Sequence, residues 1–163
     1  MNTTIDQTVP SAPHDVDTLN SLLRGEMSAV ETYEQAIGKF DDPEMRTRAN
    51  VLTRIRDEHT KSVSVLRERV LAHGGKPSEG FGMWGAFATT VTGAAKLMGA
   101  KTALAALKQG EQHGIEQYEK AVQDTDVSTE AKFLIWNELL PRCHDHVSSL
   151  EQMIQQSKEG AGA

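Results

Sequence analysis

Residues 19–37, LNSLLRGEMSAVETYEQAI, lie over residues 104–122, LAALKQGEQHGIEQYEKAV, at a constant offset of 85 with eight identities. These are Leu19/Leu104, Leu22/Leu107, Gly25/Gly110, Glu26/Glu111, Glu31/Glu116, Tyr33/Tyr118, Glu34/Glu119 and Ala36/Ala121. A second, weaker repeat at offset 87 sets Glu58-His59-Thr60-Lys61-Ser62-Val63 over Asp145-His146-Val147-Ser148-Ser149-Leu150. The chain therefore reads as two helix hairpins of shared pattern.

Working outward, the apolar spacing predicts four helices. The first, about 15–39, has its seam at Leu19, Leu22, Glu26, Val30, Tyr33, Ile37 and Phe40, in steps of three and four that keep one face toward a bundle core. Asp42 and Pro43 then suit the cap and first position of a second helix, about 43–73, because Asp accepts from free N–H groups and Pro lacks one. Its seam is Leu52, Ile55, His59, Val63, Leu66 and Val70, and Gly74-Gly75 supplies a stop. The third, about 100–123, presents Leu104, Leu107, Glu111, Ile115, Tyr118 and Val122. The fourth, about 128–157, presents Phe133, Trp136, Leu140, Cys143, Val147, Leu150 and Ile154, with Pro141 expected to kink rather than end it.

The expected organisation is an N-terminal arm over 1–14, disordered and carrying Pro10 and Pro13, one bundle domain over 15–157, and a frayed tail over 158–163. Between helices two and three, residues 74–99 form a long Gly-rich crossover. It contains a literal G-x-G-x-x-G at Gly80, Gly82 and Gly85, but no strand precedes it, so the dinucleotide reading lacks its context. Its uncharged run is too short and too glycine-broken to span a bilayer. It reads as a small-residue crossover packed along the bundle, or as a contact surface built on Phe81, Met83, Trp84 and Phe87. Two helices, a long crossover and two more helices describe an all-α, ferritin-like four-helix bundle.

The chain has 163 residues, with Lys+Arg 17 against Asp+Glu 23 and a net charge of -6. That balance argues against a nucleic-acid partner, which needs a basic face. The single cysteine, Cys143, excludes a disulfide framework and a cysteine-based structural zinc site. The opening residues lack a basic stretch followed by an apolar one, so the expectation is a cytoplasmic protein without membrane contact.

An ionised carboxylate in a core seam costs several kcal/mol unless a charge or metal compensates it. Glu26 stands between Leu22 and Val30, and Glu111 between Leu107 and Ile115. His59 stands between Ile55 and Val63, and His146 between Cys143 and Leu150. Each helix thus offers one metal-type ligand near mid-length. If the repeat packs about a pseudo-twofold, Glu26, His59, Glu111 and His146 converge, a donor set that suits one divalent ion of iron, manganese or zinc. Tyr33 and Tyr118 are candidates for bonds to the carboxylates, while Glu58 and Asp145 flank the histidines. The competing reading of the same residues is a buried polar network without metal. Cys143 reads as a small hydrophobe, His113 and His144 as flank or surface residues, and Glu31, Glu34, Glu116 and Glu119 as a solvated face.

At these residues the chain resembles the ferritin-like superfamily, whose dinuclear members supply a Glu from each of two helices and Glu-x-x-His from each of the other two. The resemblance implies that Glu26, Glu111, His59 and His146 stand at ligand positions. The chain departs from it where Arg56 and Cys143 occupy the places of the two bridging glutamates. The layout, with LNSLL…E…Y, the Gly-rich crossover and LKQGE…Y, resembles more closely an uncharacterised bacterial family of ferritin-like bundles known as a domain of unknown function.

Three functions follow as expectations. The first is a bundle holding one divalent metal at Glu26, His59, Glu111 and His146. The second is a metal-free interaction bundle that self-associates through the crossover, with a homo-oligomer, a dimer, as the expected state. The third, weakened by the missing glutamates, is a di-iron oxidase or iron-storage protein.

Overall fold

The computed structural model describes residues 12–38, 46–80 and 100–159. It holds α1 (Ala12–Ile37), α2 (Arg46–Ala72), α3 (Ala100–Gln123), α4 (Thr129–Leu134) and α5 (Leu140–Glu159). A π turn over Ile135–Leu139 joins α4 and α5 into one continuous fourth helix. Among the described residues there is no strand. Residues 12–14, expected in the arm, belong to α1 instead. Pro13 falls in the first turn, where a missing N–H breaks no helical bond. At the other end Lys158 and Glu159 are still helical. The Asp42 cap, Pro43, the crossover residues Phe81, Met83, Trp84 and Phe87, and the rest of 81–99 lie outside the described residues.

The α2 stop is built as the Gly74-Gly75 pair suggests. Gly74 adopts φ 74°, while its N–H donates to the Leu71 carbonyl and that of Gly75 to the Val70 carbonyl, both at 2.9 Å. This is the Schellman arrangement, which satisfies carbonyls at the helix end. A Cβ on Gly75 would come within 2.5 Å of the Val16 side chain on α1. Gly74→Ala should therefore cost about 1–2 kcal/mol of unfolding free energy through the left-handed backbone alone. Denaturant titration measures it, and an unchanged midpoint would contradict the account.

Helices α1 and α2 pack together as one hairpin and α3 and α5 as the other, and the hairpins meet through α1 with α3 and α2 with α5. The buried apolar residues separate into two clusters. One gathers Leu19, Leu23, Leu66, Val70, Tyr118, Leu134, Ile135 and Leu139. The other gathers Tyr33, Leu52, Ile55, Leu104, Leu107, Leu150 and Met153. Glu26, His59, Glu111 and His146 are also buried, and their sequence positions place them between the two clusters on every helix.

The fourth helix corrects the expected seam. Phe133 and Trp136 are 69% and 63% exposed, whereas Ala131, Leu134, Ile135 and Leu139 are buried. The cause is the π turn, in which the Leu140 N–H donates to the Ile135 carbonyl, five residues back. Pro141 offers no N–H to the Asn137 carbonyl and its ring would press on it. Widening the preceding turn accommodates the ring, and the extra residue shifts everything upstream by one position on the helix face. Ile135→Ala should thus cost about 2–5 kcal/mol, while Trp136→Ser should change stability by no more than about 0.5 kcal/mol. Equal losses in thermal or denaturant melts would contradict this register.

A second tie closes the end of the bundle. Asp15, four residues before Leu19 on the same stripe, is 1% exposed. Its Oδ1 accepts from the Ser128 N–H at 2.8 Å, and its Oδ2 lies 3.3 Å from His73 Nδ1. Ser128 in turn caps α4, its hydroxyl accepting from the Ala131 N–H. One carboxylate so ties the start of α1 to the start of α4 by a hydrogen bond and lies beside the end of α2.

Candidate functional site

The repeat places its carboxylates and tyrosines reciprocally. Tyr33 on α1 donates to Glu111 Oε1 on α3, and Tyr118 on α3 donates to Glu26 Oε1 on α1, each at 2.6 Å. His59 on α2 lies between the two carboxylates, with Nδ1 2.7 Å from Glu26 Oε2 and Nε2 2.9 Å from Glu111 Oε1. His146 on α5 continues the chain, with Nδ1 3.2 Å from Glu111 Oε2 and Nε2 2.7 Å from Glu58 Oε2. Arg54 then donates to Glu58 Oε1 at 2.9 Å. The result is a line of contacts from Tyr118 to Arg54 that crosses all four helices.

A neutral imidazole has one N–H, so hydrogen bonds from both nitrogens of His59 to ionised carboxylates require the imidazolium form. The electrostatics agree. Burial by itself would lower the His59 pKa, but the charges of Glu111 and Glu26 and their hydrogen bonds together raise it to about 10. Burial pushes the Glu111 carboxyl up, yet the His59 charge and the bonds from His146 and His59 hold it well below the usual carboxylate range. Glu58 is lowered as well, against its burial, by His146 and Arg54. Burial and the adjacent Glu111 raise the Tyr33 hydroxyl, and burial and Glu26 raise that of Tyr118, so both stay neutral donors.

His59, Glu111 and His146 can each turn one ligand atom into a group whose members lie within 4.8 Å of one another. Glu26 stands outside that group, on the other side of the His59 ring, and of the three it touches His59. Of the two flanking acids, Glu58 reaches the layer and Asp145 does not. Asp145 is exposed, and its backbone carbonyl accepts from Ser149. Glu58 sits on the side of α2 that faces α5, where its Oε2 meets His146. Arg56 points away and pairs with Asp57 at 2.6 Å. His144 is exposed, as expected, and His113 is half-buried. Glu34, Glu116 and Glu119 are exposed, while Glu31 is partly covered.

A cavity of about 420 Å³ reaches Glu26, His59 and Glu111 between α1 and α3, with Leu22, Ala29, Tyr118 and Cys143 also on its walls. Cys143 is 3% exposed, and burial followed by Glu111 and Glu26 raises its thiol pKa, so it is no ready nucleophile. A group the sequence reading did not single out, His14 with Asp124 and Asp126, also brings ligand-type atoms within 4.8 Å at the bundle surface. Its only sequence signal is the Asp-Thr-Asp of the α3–α4 loop, since His14 is remote in the chain. No described helix is long and apolar enough to cross a membrane.

The fold is similar to that of a crystal structure of ferritin-like, diiron-carboxylate proteins from Bacillus anthracis str. Ames, with a TM-score of 0.71 and 17% identity. The superposition covers 88% of this chain and 96% of that one, and at such identity the likeness concerns the fold. No curated protein matches the sequence. The model of a family described as "Domain of unknown function (DUF2383)" matches residues 14–124, which take in Glu26, His59 and Glu111 and stop before the helix of His146. That match covers more than half of the chain, and the protein belongs to the DUF2383 family.

Proposed function

We propose that the polar layer is a mononuclear site for a divalent metal ion, with Glu26, His59, Glu111 and His146 as the ligand set. The observation that carries this is the approach of His59, Glu111 and His146 to within 4.8 Å of one another while all three are buried. Two imidazoles with carboxylates suit iron, manganese or zinc. Tyr33 and Tyr118 would hold the carboxylates in place and Glu58 would orient His146, as outer partners do at metal centres.

A two-iron centre of the kind named for the Bacillus anthracis neighbour does not fit these residues. Arg56 and Cys143 occupy the places from which two further carboxylates would bridge a second ion. Oxidase and storage readings that need such a pair are accordingly not favoured.

A second reading has an observation of its own. Among the described residues every buried side-chain polar atom of the layer has a hydrogen-bond partner, and the one buried atom without one is Asp15 Oδ2. A satisfied network can serve as a structural layer that fixes helix register. In that reading the bundle acts through self-association as a dimer, and light scattering of the purified protein tests the oligomeric state.

Elemental analysis separates the two. The metal site predicts about one equivalent of iron, manganese or zinc per chain after loading, absent from the Glu26→Ala/His59→Ala variant. Wild-type protein without metal, or a variant that holds as much, would leave the structural network. Single-site occupancy also predicts stabilisation, about 2.7 kcal/mol at a free-ion concentration of 100 times Kd.

A further inference from the structure

The two long sides of the polar layer are unlike. On the side of α2 and α5, Glu58 and Arg54 close over His146, and Arg54 also donates to Ser149 Oγ at 3.1 Å. On the side of α1 and α3, the cavity of about 420 Å³ descends to Glu26, His59 and Glu111. That volume is inside the roughly 300–1,000 Å³ of small-molecule pockets. Side chains are missing from its walls at Gly25 and Gly114, and minimal at Ala29.

The lining sorts by chemistry. Leu22, Ala29 and Cys143 are apolar and buried. Ser21, Arg24, His113 and Gln117, none of them acidic, are only partly covered or exposed and therefore form the mouth. Arg24 is the fixed positive charge there. Its Nη1 donates to the neutral Ser78 hydroxyl at 3.0 Å, and among the described residues no carboxylate pairs with it. Ser78 is itself held on α1, its N–H donating to Asn20 Oδ1 at 2.7 Å. The segment after α2 thus positions the guanidinium beside the cavity, with most of its five donors available. At the floor the Tyr118 hydroxyl is already taken by Glu26, so an anionic head is met by the guanidinium at the mouth.

We propose that this cleft binds a small organic monoanion, a carboxylate with a short apolar body, with its head on Arg24 and its body along Leu22, Ala29 and Cys143. A guanidinium matches a carboxylate bidentately, and the walls exclude water from the body of the ligand. The ligand's contacts use none of the proposed metal ligands, although Glu26, His59 and Glu111 lie at the floor of the same cavity.

Benzoate is the probe, with benzamidine of the same shape and opposite charge as its control. Binding to the full-length protein is followed by calorimetry and by ligand-observed NMR, as purified and after chelator treatment. We expect saturable benzoate binding that Arg24→Gln weakens at least tenfold, and little binding of benzamidine. Circular dichroism confirms that the variant folds, and Lys61→Gln, an exposed cation outside the cavity, controls for net charge. Absence of benzoate binding, equal binding by Arg24→Gln, or preference for benzamidine would each overturn the proposal. Metal content read on the same samples keeps its failure distinct from that of the metal site.

Discussion

Glu111→Ala lowers the unfolding free energy of the metal-free protein by about 3–5 kcal/mol, the loss expected when one partner of a buried ion pair is removed. The size follows from what Glu111 satisfies. Its Oε1 takes the Tyr33 hydroxyl and His59 Nε2, and its Oε2 lies against His146 Nδ1. All four side chains are buried, so truncation leaves the His59 cation facing one carboxylate instead of two and two further groups without a partner. Glu111→Gln keeps the volume and one acceptor oxygen and should fall between wild type and alanine. On the same helix, Glu116→Ala removes an exposed carboxylate and should change stability by no more than about 0.5 kcal/mol. Guanidinium titrations followed by circular dichroism give all three values. A loss under 1 kcal/mol for Glu111→Ala, on the scale of about 1 kcal/mol for a single hydrogen bond, would mean that water or another cation satisfies the layer.

The second large effect is a fall in stability of the metal-free protein as the pH is raised. The folded state holds the His59 proton up to a pKa of about 10, whereas an unfolded histidine loses it near 6.5. Below pH 6.5 both states carry the proton and the contribution of the ion pair is complete. Between about 6.5 and 10 the unfolded chain releases a proton that the folded chain keeps, so stability declines with a limiting slope of about 1.4 kcal/mol per pH unit. The depressed Glu111 carboxyl acts on the other side: its contribution is present above the ordinary carboxylate pKa and lost as the pH falls. The metal-free bundle should therefore be most stable between about pH 5 and 6.5, and His59→Gln should flatten the alkaline limb. Metal binding has the opposite sign, because an imidazole nitrogen must shed its proton to bind an ion. Affinity for zinc should rise over the same interval in which the metal-free protein weakens. Melting temperatures across pH, with and without zinc, read both slopes, and parallel slopes would contradict the assignment.

Much of this was readable from a repeat. The offset that superposes Glu26 on Glu111 also superposes Tyr33 on Tyr118, and the reciprocal bonds between the hairpins are what a pseudo-twofold makes of that pair. The period of three and four located the helices because apolar burial drives their packing. It failed on the fourth helix because it assumes one residue count per turn, which the π turn before Pro141 breaks. Phe133 and Trp136 went to the outside as a result. Nor does periodicity tell which flanking acid reaches inward, since Glu58 and Asp145 each precede a histidine and only the packing of α2 against α5 distinguishes them. Asp15 was on the Leu19 stripe all along, but its partners His73 and Ser128 come from other elements. The arginine of the cleft was equally silent, because its position depends on Ser78, beyond the end of α2.

The most direct test of the metal site is anomalous scattering at the zinc edge from crystals of the loaded protein. One peak per chain is expected within about 2.0–2.2 Å of ligand atoms from Glu26, His59, Glu111 and His146. Two peaks about 3.5–4 Å apart, as in dinuclear sites, or a single peak at His14, Asp124 and Asp126 with none in the bundle, would contradict it.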